Sequence, residues 1–398
     1  MTFRRILTGA VIAIVLTAAL AAAAGIAHAG PVPDPRNDPF YAQPTSFAGR
    51  AHGQILNSRP VDIGIAGIEL PYAAYQLKYV STDTAGAPQA NVATVLKPLS
   101  RTSSPKLVSY QPVIDSLSHR CDPSYQLRTG SNLEVPFIAI LLNRGWTVVI
   151  PDYLGPDHHW GAGYVEGHGT LDGIRAAEEF TPAGLGGPAT PVALTGYSGG
   201  AHGTEAAYEL APTYAPELNI VGAALGGLPA DMGDLMHGAN GGLWSGAVFT
   251  SLFGLDRAYP TMGIDEMLNA KGRQLRNAIS DMCVFEYLAA YPFQYVQSYT
   301  INSVNPLDVP AVKSVLAKTK AGALGTPRAP GYYYNASGDE LVVPANVDKL
   351  VARYCARGLK VQSVTEPGIH ATLAVTGYPA AVNWIAGRFA RTPAPSTC

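Results

Sequence analysis

Between Ala193 and Leu210 the chain reads "ALTGYSGGAHGTEAAYEL": an apolar run, a serine pinched between glycines, then a helix-forming stretch. Few folds have a place for that succession. A strand that ends in so tight a turn holds the serine at its tip in a strained backbone conformation, with the hydroxyl exposed. Neighbouring backbone segments come too close there for a Cβ two positions either side, which accounts for Gly196 and Gly200 around Ser198. In a chain with 42 glycines the bare G-x-S-x-G pattern carries little weight, so its surroundings decide.

Those surroundings alternate. "AYQLKYVST", "NVATVLKP" and "KLVSYQPV" read as strands, followed by helical spacing in "SNLEVPFIAILLNRG" and a buried strand in "WTVVIPDY". "TLDGIRAAEEF" is an amphipathic helix, "PVALTGY" leads into Ser198, and "NIVGAALGG" follows the elbow helix. This rhythm predicts the α/β class, with a mostly parallel central sheet and helices on both faces. It breaks after Gly227. Residues 228–324 are rich in Met, Gly and aromatics, with helix-like pieces such as "GIDEMLNAKGRQLRNAIS" and no strand series. Strand, helix, strand and helix resume through "GYYYNASGDELVVP", "ANVDKLVARYCARG", "KVQSVTEPGIHATLAV" and "PAAVNWIAGRF". The expected organisation is a leader over 1–29, a core over 30–227, a helical cap or lid over 228–324, and the rest of the core over 325–398.

The N-terminus reads as an export signal. Arg4 and Arg5 precede a long Ala/Val/Leu/Ile run that ends in Ala27-His28-Ala29, a small-residue cleavage pattern. The alternative is an uncleaved membrane anchor. The proline-rich "PVPDPRNDPFYAQP" then forms an exposed arm. Loss of Arg4 and Arg5 takes the formal charge from −2 to −4, and no lysine/arginine cluster remains to bind nucleic acid. Cys121, Cys283, Cys355 and Cys398 make an even count in an exported chain, which favours two disulfides among three possible pairings. With no C-x-x-C pair and no H-E-x-x-H, neither a metal nor another cofactor is expected.

A serine hydroxyl needs a base to become a nucleophile, and the base needs an orienting acid. In α/β-hydrolases these follow in the order serine, acid, histidine. Asp339 comes just after the strand "GYYYNAS", and His370 just after "KVQSVTE" in a loop before a helical stretch, so both fall at the edge that carries Ser198. Glu340 and Asp348 are rival acids, one turned away in a tight turn and one inside the next helix. His202, one turn after Ser198, reads as a packing or hydrogen-bonding residue. His158 and His159 read as a surface or pocket-lining pair. For the oxyanion, the N–H of Gly199 is the first donor. A second should come from Val113 to Ser116, where the usual HGGG sequence is missing.

At these residues the chain resembles the secretory lipase family, the yeast lipase A type of α/β-hydrolase. The likeness rests on "GYSGGAH", "YAPELNIVGAALGG", "LNAKGRQ", "YPF", "GDELVVP" and the late Gly-Ile-His, and it spans nearly all of the chain after the leader. It implies a Ser198–Asp339–His370 triad, with Asp115 and Gly199 forming the oxyanion hole; the aspartate fits "QPVIDS". It also implies the bridges Cys121–Cys283 and Cys355–Cys398. The activity implied is hydrolysis of acylglycerols and other carboxylic esters, with transient contact to a lipid interface and no cofactor. An acyltransferase with the same triad and a catalytically inactive lipid-binding relative are the alternatives. "GGLWSGAVFTSLFGL" (241–255) either lines an acyl channel or forms the cap's own core. The sequon at Asn335 lies on the strand entering Asp339, a poor place for a glycan.

Overall fold

The computed structural model describes residues 32–100 and 104–398; the expected export leader lies outside them. In chain order the strands are β1 (Ile55–Val61), β2 (Gly64–Ile65), β3 (Ile68–Glu69), β4 (Ala74–Thr82), β5 (Pro88–Leu96) and β6 (Leu107–Gln111). They continue with β7 (Thr147–Pro151), β8 (Val192–Tyr197), β9 (Ile220–Gly226), β10 (Gly331–Ala336) and β11 (Val361–Glu366). Nine of them form one sheet in the order β1-β4-β5-β7-β6-β8-β9-β10-β11, while β2 and β3 pair separately. From β7 to β11 every pairing is parallel, and the three at the β1 end are antiparallel. Strands β6, β7 and β8 are buried at every position, as unbroken apolar runs are when helices cover both faces of a sheet.

Both faces are covered. Helices Gly163–Glu179, Gly199–Tyr214 and Pro344–Ala356 pack on one face through residues such as Leu171, Ile174, Ala207 and Val347. Helices Val135–Asn143 and Tyr378–Phe389 pack on the other through Ile138, Leu141, Val382 and Ile385. Between β9 and β10 the chain is helix and loop, including Met232–Ala239, Ser245–Ala258, Ala270–Ile279, Val284–Ala290 and Pro310–Thr319. This block has its own apolar cluster around Met236, Phe249, Leu252 and Leu275, continuous with Leu154 and Trp160 of the core. Most of "GGLWSGAVFTSLFGL" is spent there: Val248, Phe249, Leu252 and Phe253 are buried in that cluster. Disulfides join Cys121 to Cys283, from the core to this block, and Cys355 to Cys398, at the C-terminus.

The burial of one carboxyl makes the fold sensitive to pH. Glu178, near the end of helix Gly163–Glu179, is 6 % exposed, and neither carboxylate oxygen has a hydrogen-bond partner. Burial, reinforced by Glu217, pushes its carboxyl up to about 8. A folded-state pKa above the unfolded value means that the carboxyl keeps its proton in the fold while the unfolded chain releases its own. Stability is therefore lost as pH rises from 4.5, the ordinary glutamate value, toward about 8. Glu178→Gln, which cannot ionise, is expected to melt several degrees above the wild type at pH 8 and at about the same temperature at pH 4. Differential scanning calorimetry across that range measures it; a constant difference at all pH values would contradict it.

Candidate active site

Ser198 sits at the end of β8 with φ 54° and ψ −124°, a backbone conformation rare for a residue with a side chain, and caps helix Gly199–Tyr214. Its N–H donates to the carbonyl of Gly226 at 2.9 Å, which fixes the turn against β9. The flanking glycines are there because backbone is. A Cβ at Gly196 would meet the carbonyl oxygen of Gly200 at 2.4 Å, and one at Gly200 would meet that of Gln111 at 2.0 Å. The strained serine is thus held from both sides, as the sequence spacing implies.

Two further strand ends bring the other groups to the same edge. Asp339 follows β10 and His370 follows β11. His370 Nε2 lies 2.8 Å from Ser198 Oγ, and His370 Nδ1 lies 2.8 Å from Asp339 Oδ2. The other Asp339 oxygen accepts from the N–H groups of Leu341 and Val342 at 3.0 and 2.8 Å. The carboxylate is therefore fixed before it meets the imidazole. His370 is the first residue of helix His370–Thr376 rather than a loop residue. Two neighbours fix its backbone: its N–H donates to Glu340 Oε2 at 2.9 Å, and its carbonyl accepts from Tyr197 OH at 2.7 Å. Glu340, read from sequence only as a rival acid, thus holds the histidine's main chain. Asp348 is exposed, on helix Pro344–Ala356.

Opposite the imidazole, the loop after β6 carries Asp115 at φ 41°. A Cβ on Gly199 would fall 1.8 Å from Asp115 Oδ1, so the carboxyl rests directly on the glycine that follows the serine. That oxygen is buried and has no hydrogen-bond partner. Burial, with the charge of Glu166 adding to it, pushes the Asp115 carboxyl up to about 8, so it is mostly protonated at neutral pH. The Gly199 N–H, first in its helix, has no intrahelical acceptor.

Glu134 is a site residue that sequence reasoning did not find. Its Oε2 accepts from Tyr110 OH at 2.6 Å and its Oε1 from the Val113 N–H at 2.7 Å, tethering the loop that presents Asp115. Burial pushes its carboxyl up to about 7. No motif marks it, since its partners are a strand tyrosine and a main-chain amide more than twenty residues away.

The serine opens into a cavity of about 840 Å³, lined by Val113, Phe137, Trp244, Phe285, Leu288 and Ala374 among others. This lies toward the upper end of the range for small-molecule sites, about 300–1,000 Å³. Of the stretch 241–255, Trp244 and Ala247 reach it. Leu133 and Phe285 line it while each is 65 % exposed, leaving apolar surface open to solvent.

The remaining histidines lie elsewhere. His202 is buried, with Nδ1 at 2.5 Å from Glu166 Oε2, and the other Glu166 oxygen accepts from the Gly161 N–H. Burial works against its protonated form, but the Glu166 carboxylate outweighs that and raises its pKa. A hydrogen-bonding role is what its place in the helix suggested. The reading of His158 and His159 as a surface or pocket-lining pair is corrected. They are 2 % and 7 % exposed, buried within the loop after β7, and neither lines the cavity. A glycine-rich loop suggested a surface position, but its glycines permit close packing: a Cβ on Gly155 would meet the Gln89 amide at 2.7 Å. Asn335 is 1 % exposed inside β10, which closes the sequon to glycosylation in the folded chain.

A mostly parallel sheet, helices on both faces and a serine elbow after β8 define an α/β-hydrolase fold, the class expected from sequence. The comparisons narrow this. Residues 124–397 match the secretory lipase family, and the chain belongs to it. Lipase A of Moesziomyces aphidis is 36 % identical over 377 residues, covering 87 % of this chain and 80 % of the relative. "Probable inactive lipase MT1628" of Mycobacterium tuberculosis is 35 % identical over 373 residues, covering 90 % and 83 %. The crystal structure of Candida antarctica lipase A in its closed state superposes with a TM-score of 0.85 at 34 % identity, covering 92 % of this chain and 90 % of the other. Family membership assigns a hydrolase acting on ester bonds, with lipid or other esters as substrate.

Proposed function

We propose that this chain is an exported serine lipase that cleaves acylglycerols and related carboxylic esters through an acyl-enzyme. The observation that carries this is the position of His370, 2.8 Å from the Ser198 hydroxyl and 2.8 Å from the Asp339 carboxylate. Ser198 Oγ attacks the ester carbonyl as His370 Nε2 accepts its proton. The imidazolium then gives that proton to the departing alcohol, and Asp339 steadies its charge. Water repeats the sequence on the acyl group. The N–H of Gly199 and the Asp115 loop face the developing oxyanion, and a carboxyl that keeps its proton at neutral pH adds no repelling charge there. The apolar cavity takes the acyl chain. Residues 228–324 act as the cap over it, and the apolar rim at Leu133 and Phe285 suits brief contact with a lipid interface.

A second reading has one specific support: the mycobacterial relative at 35 % identity is named inactive. The contacts among Ser198, His370 and Asp339 favour activity for this chain. A fluorophosphonate probe, with mass spectrometry of the adduct, separates the two. Stoichiometric labelling of Ser198 together with hydrolysis of p-nitrophenyl esters is expected. No labelling and no turnover at any acyl length would leave a lipid-binding relative. Triglycerides and monoesters of graded chain length, assayed below and above their solubility limits, distinguish lipase from esterase. A dominant transfer product in the presence of glycerol would instead mark an acyltransferase.

A further inference from the structure

Away from the elbow, the loops after β6 and β7 converge on one carboxylate. Asp122 stands at the N-cap of helix Pro123–Thr129, where an aspartate normally accepts from first-turn N–H groups, yet its side chain makes no such bond. Instead its Oδ2 faces His119 Nδ1 at 3.0 Å, and its Oδ1 faces His158 Nε2 at 3.0 Å. The two rings stand nearly perpendicular, with centroids 4.4 Å apart. The nitrogen and oxygen atoms of the three side chains all lie within 4.8 Å of one another. That span is only about half an ångström more than twice a zinc–nitrogen bond of about 2.1 Å.

Two further features mark the surroundings of the cluster. His158 is held at φ 51°, a conformation that costs a non-glycine residue energy and persists where the surroundings or a function require it. The region also holds a second buried carboxylate: Asp152 accepts only from Ser124, through its N–H and Oγ. Among the described residues neither Asp122 nor Asp152 pairs with a lysine or arginine; Asp122 has its two histidines alone.

We propose that His119 Nδ1, His158 Nε2 and the Asp122 carboxylate bind one divalent ion of the zinc class. Two imidazoles and a carboxylate suit zinc rather than calcium or magnesium, which prefer all-oxygen shells. The side chain of His119 is 32 % exposed, which leaves a way in for the ion and a place for water as a further ligand. Both imidazoles bind as neutral rings, each carrying its N–H on the other nitrogen. The ion clips the loop after β6, which also carries Cys121, to the loop after β7. This departs from the sequence expectation of no metal, since His158 lies far from the other two along the chain and no spacing motif joins them.

The test does not depend on the ester-hydrolase reading. The full chain lacking its leader, stripped with EDTA, is titrated with zinc chloride by calorimetry, and its melting temperature is followed with zinc and with calcium. One equivalent of zinc bound, with a rise in melting temperature that calcium does not produce, is expected. His119→Ala, at a half-exposed position, should lower zinc affinity more than about tenfold, with the metal-free melting temperature and the ester hydrolysis rate unchanged. Asp122→Asn should do the same to affinity. Absence of a zinc-dependent shift, an equal response to calcium, or unchanged affinity in His119→Ala would overturn the proposal and leave a hydrogen-bonded cluster alone.

Discussion

Ser198→Ala is expected to lower kcat for p-nitrophenyl ester hydrolysis by about a millionfold, leaving only the weak acceleration that binding and oxyanion donors give to attack by water. The size of the effect follows from what the hydroxyl does. In the proposed mechanism it is the nucleophile that His370 Nε2 activates, so its loss removes the covalent route altogether. The fold does not depend on it. The elbow is held by the Ser198 N–H to Gly226 and by the backbone packed around Gly196 and Gly200, and none of that involves Oγ. The far-UV circular dichroism and melting temperature of the variant should therefore match the wild type. A folded Ser198→Ala protein that kept even a tenth of the wild-type rate would mean that another group attacks the ester.

How much of this was written in the sequence depends on where each residue's partners lie. The elbow was legible because its requirements are local: strand, serine and helix are contiguous, and the glycines stand where backbone crowds the turn. Strands β7, β8 and β9 were legible because strands of a parallel sheet covered on both faces are nearly unbroken apolar runs. β1 was not, because an edge strand reading Ile-Leu-Asn-Ser-Arg-Pro-Val shows neither such a run nor a clean alternation, and it is only partly buried. Helix Gly163–Glu179 was read only from Thr170 onward, since Gly163, Gly167 and Gly169 lower local helix propensity. Packing overrides propensity there: a Cβ on Gly167 would meet the backbone of Ala206 at 2.9 Å, so this glycine lets the helix lie against the elbow helix. The positioning roles of Glu134 and Glu340 were invisible for another reason. Each acts on a main-chain N–H brought near by folding, and an amide carries no side-chain signature. His119, Asp122 and His158 share that difficulty, because only the meeting of two loops makes them neighbours.

Asp339→Asn is expected to cost about four orders of magnitude in kcat, roughly 5.5 kcal/mol in the barrier, with KM within a few-fold of the wild type. The substitution is nearly isosteric. The asparagine carbonyl can still accept from the N–H groups of Leu341 and Val342, so the loop should keep its shape. What changes is the atom facing His370 Nδ1. A carboxylate oxygen accepts a proton there, whereas an amide nitrogen donates one and forces the imidazole to carry its own proton on Nε2. That nitrogen lies 2.8 Å from Ser198 Oγ and must be free to take the serine's proton. The enzyme would bind ester normally and fail at acylation, so the deficit belongs in the single-turnover acylation rate and not in substrate affinity. The same variant also decides between Asp339 and its neighbour. Glu340 already accepts from the His370 main-chain N–H, which commits its carboxylate to positioning. If Asp339→Asn lost less than about tenfold while Glu340→Gln lost thousands, the acid would be Glu340 and the bond seen at Nδ1 would not be the one used in turnover.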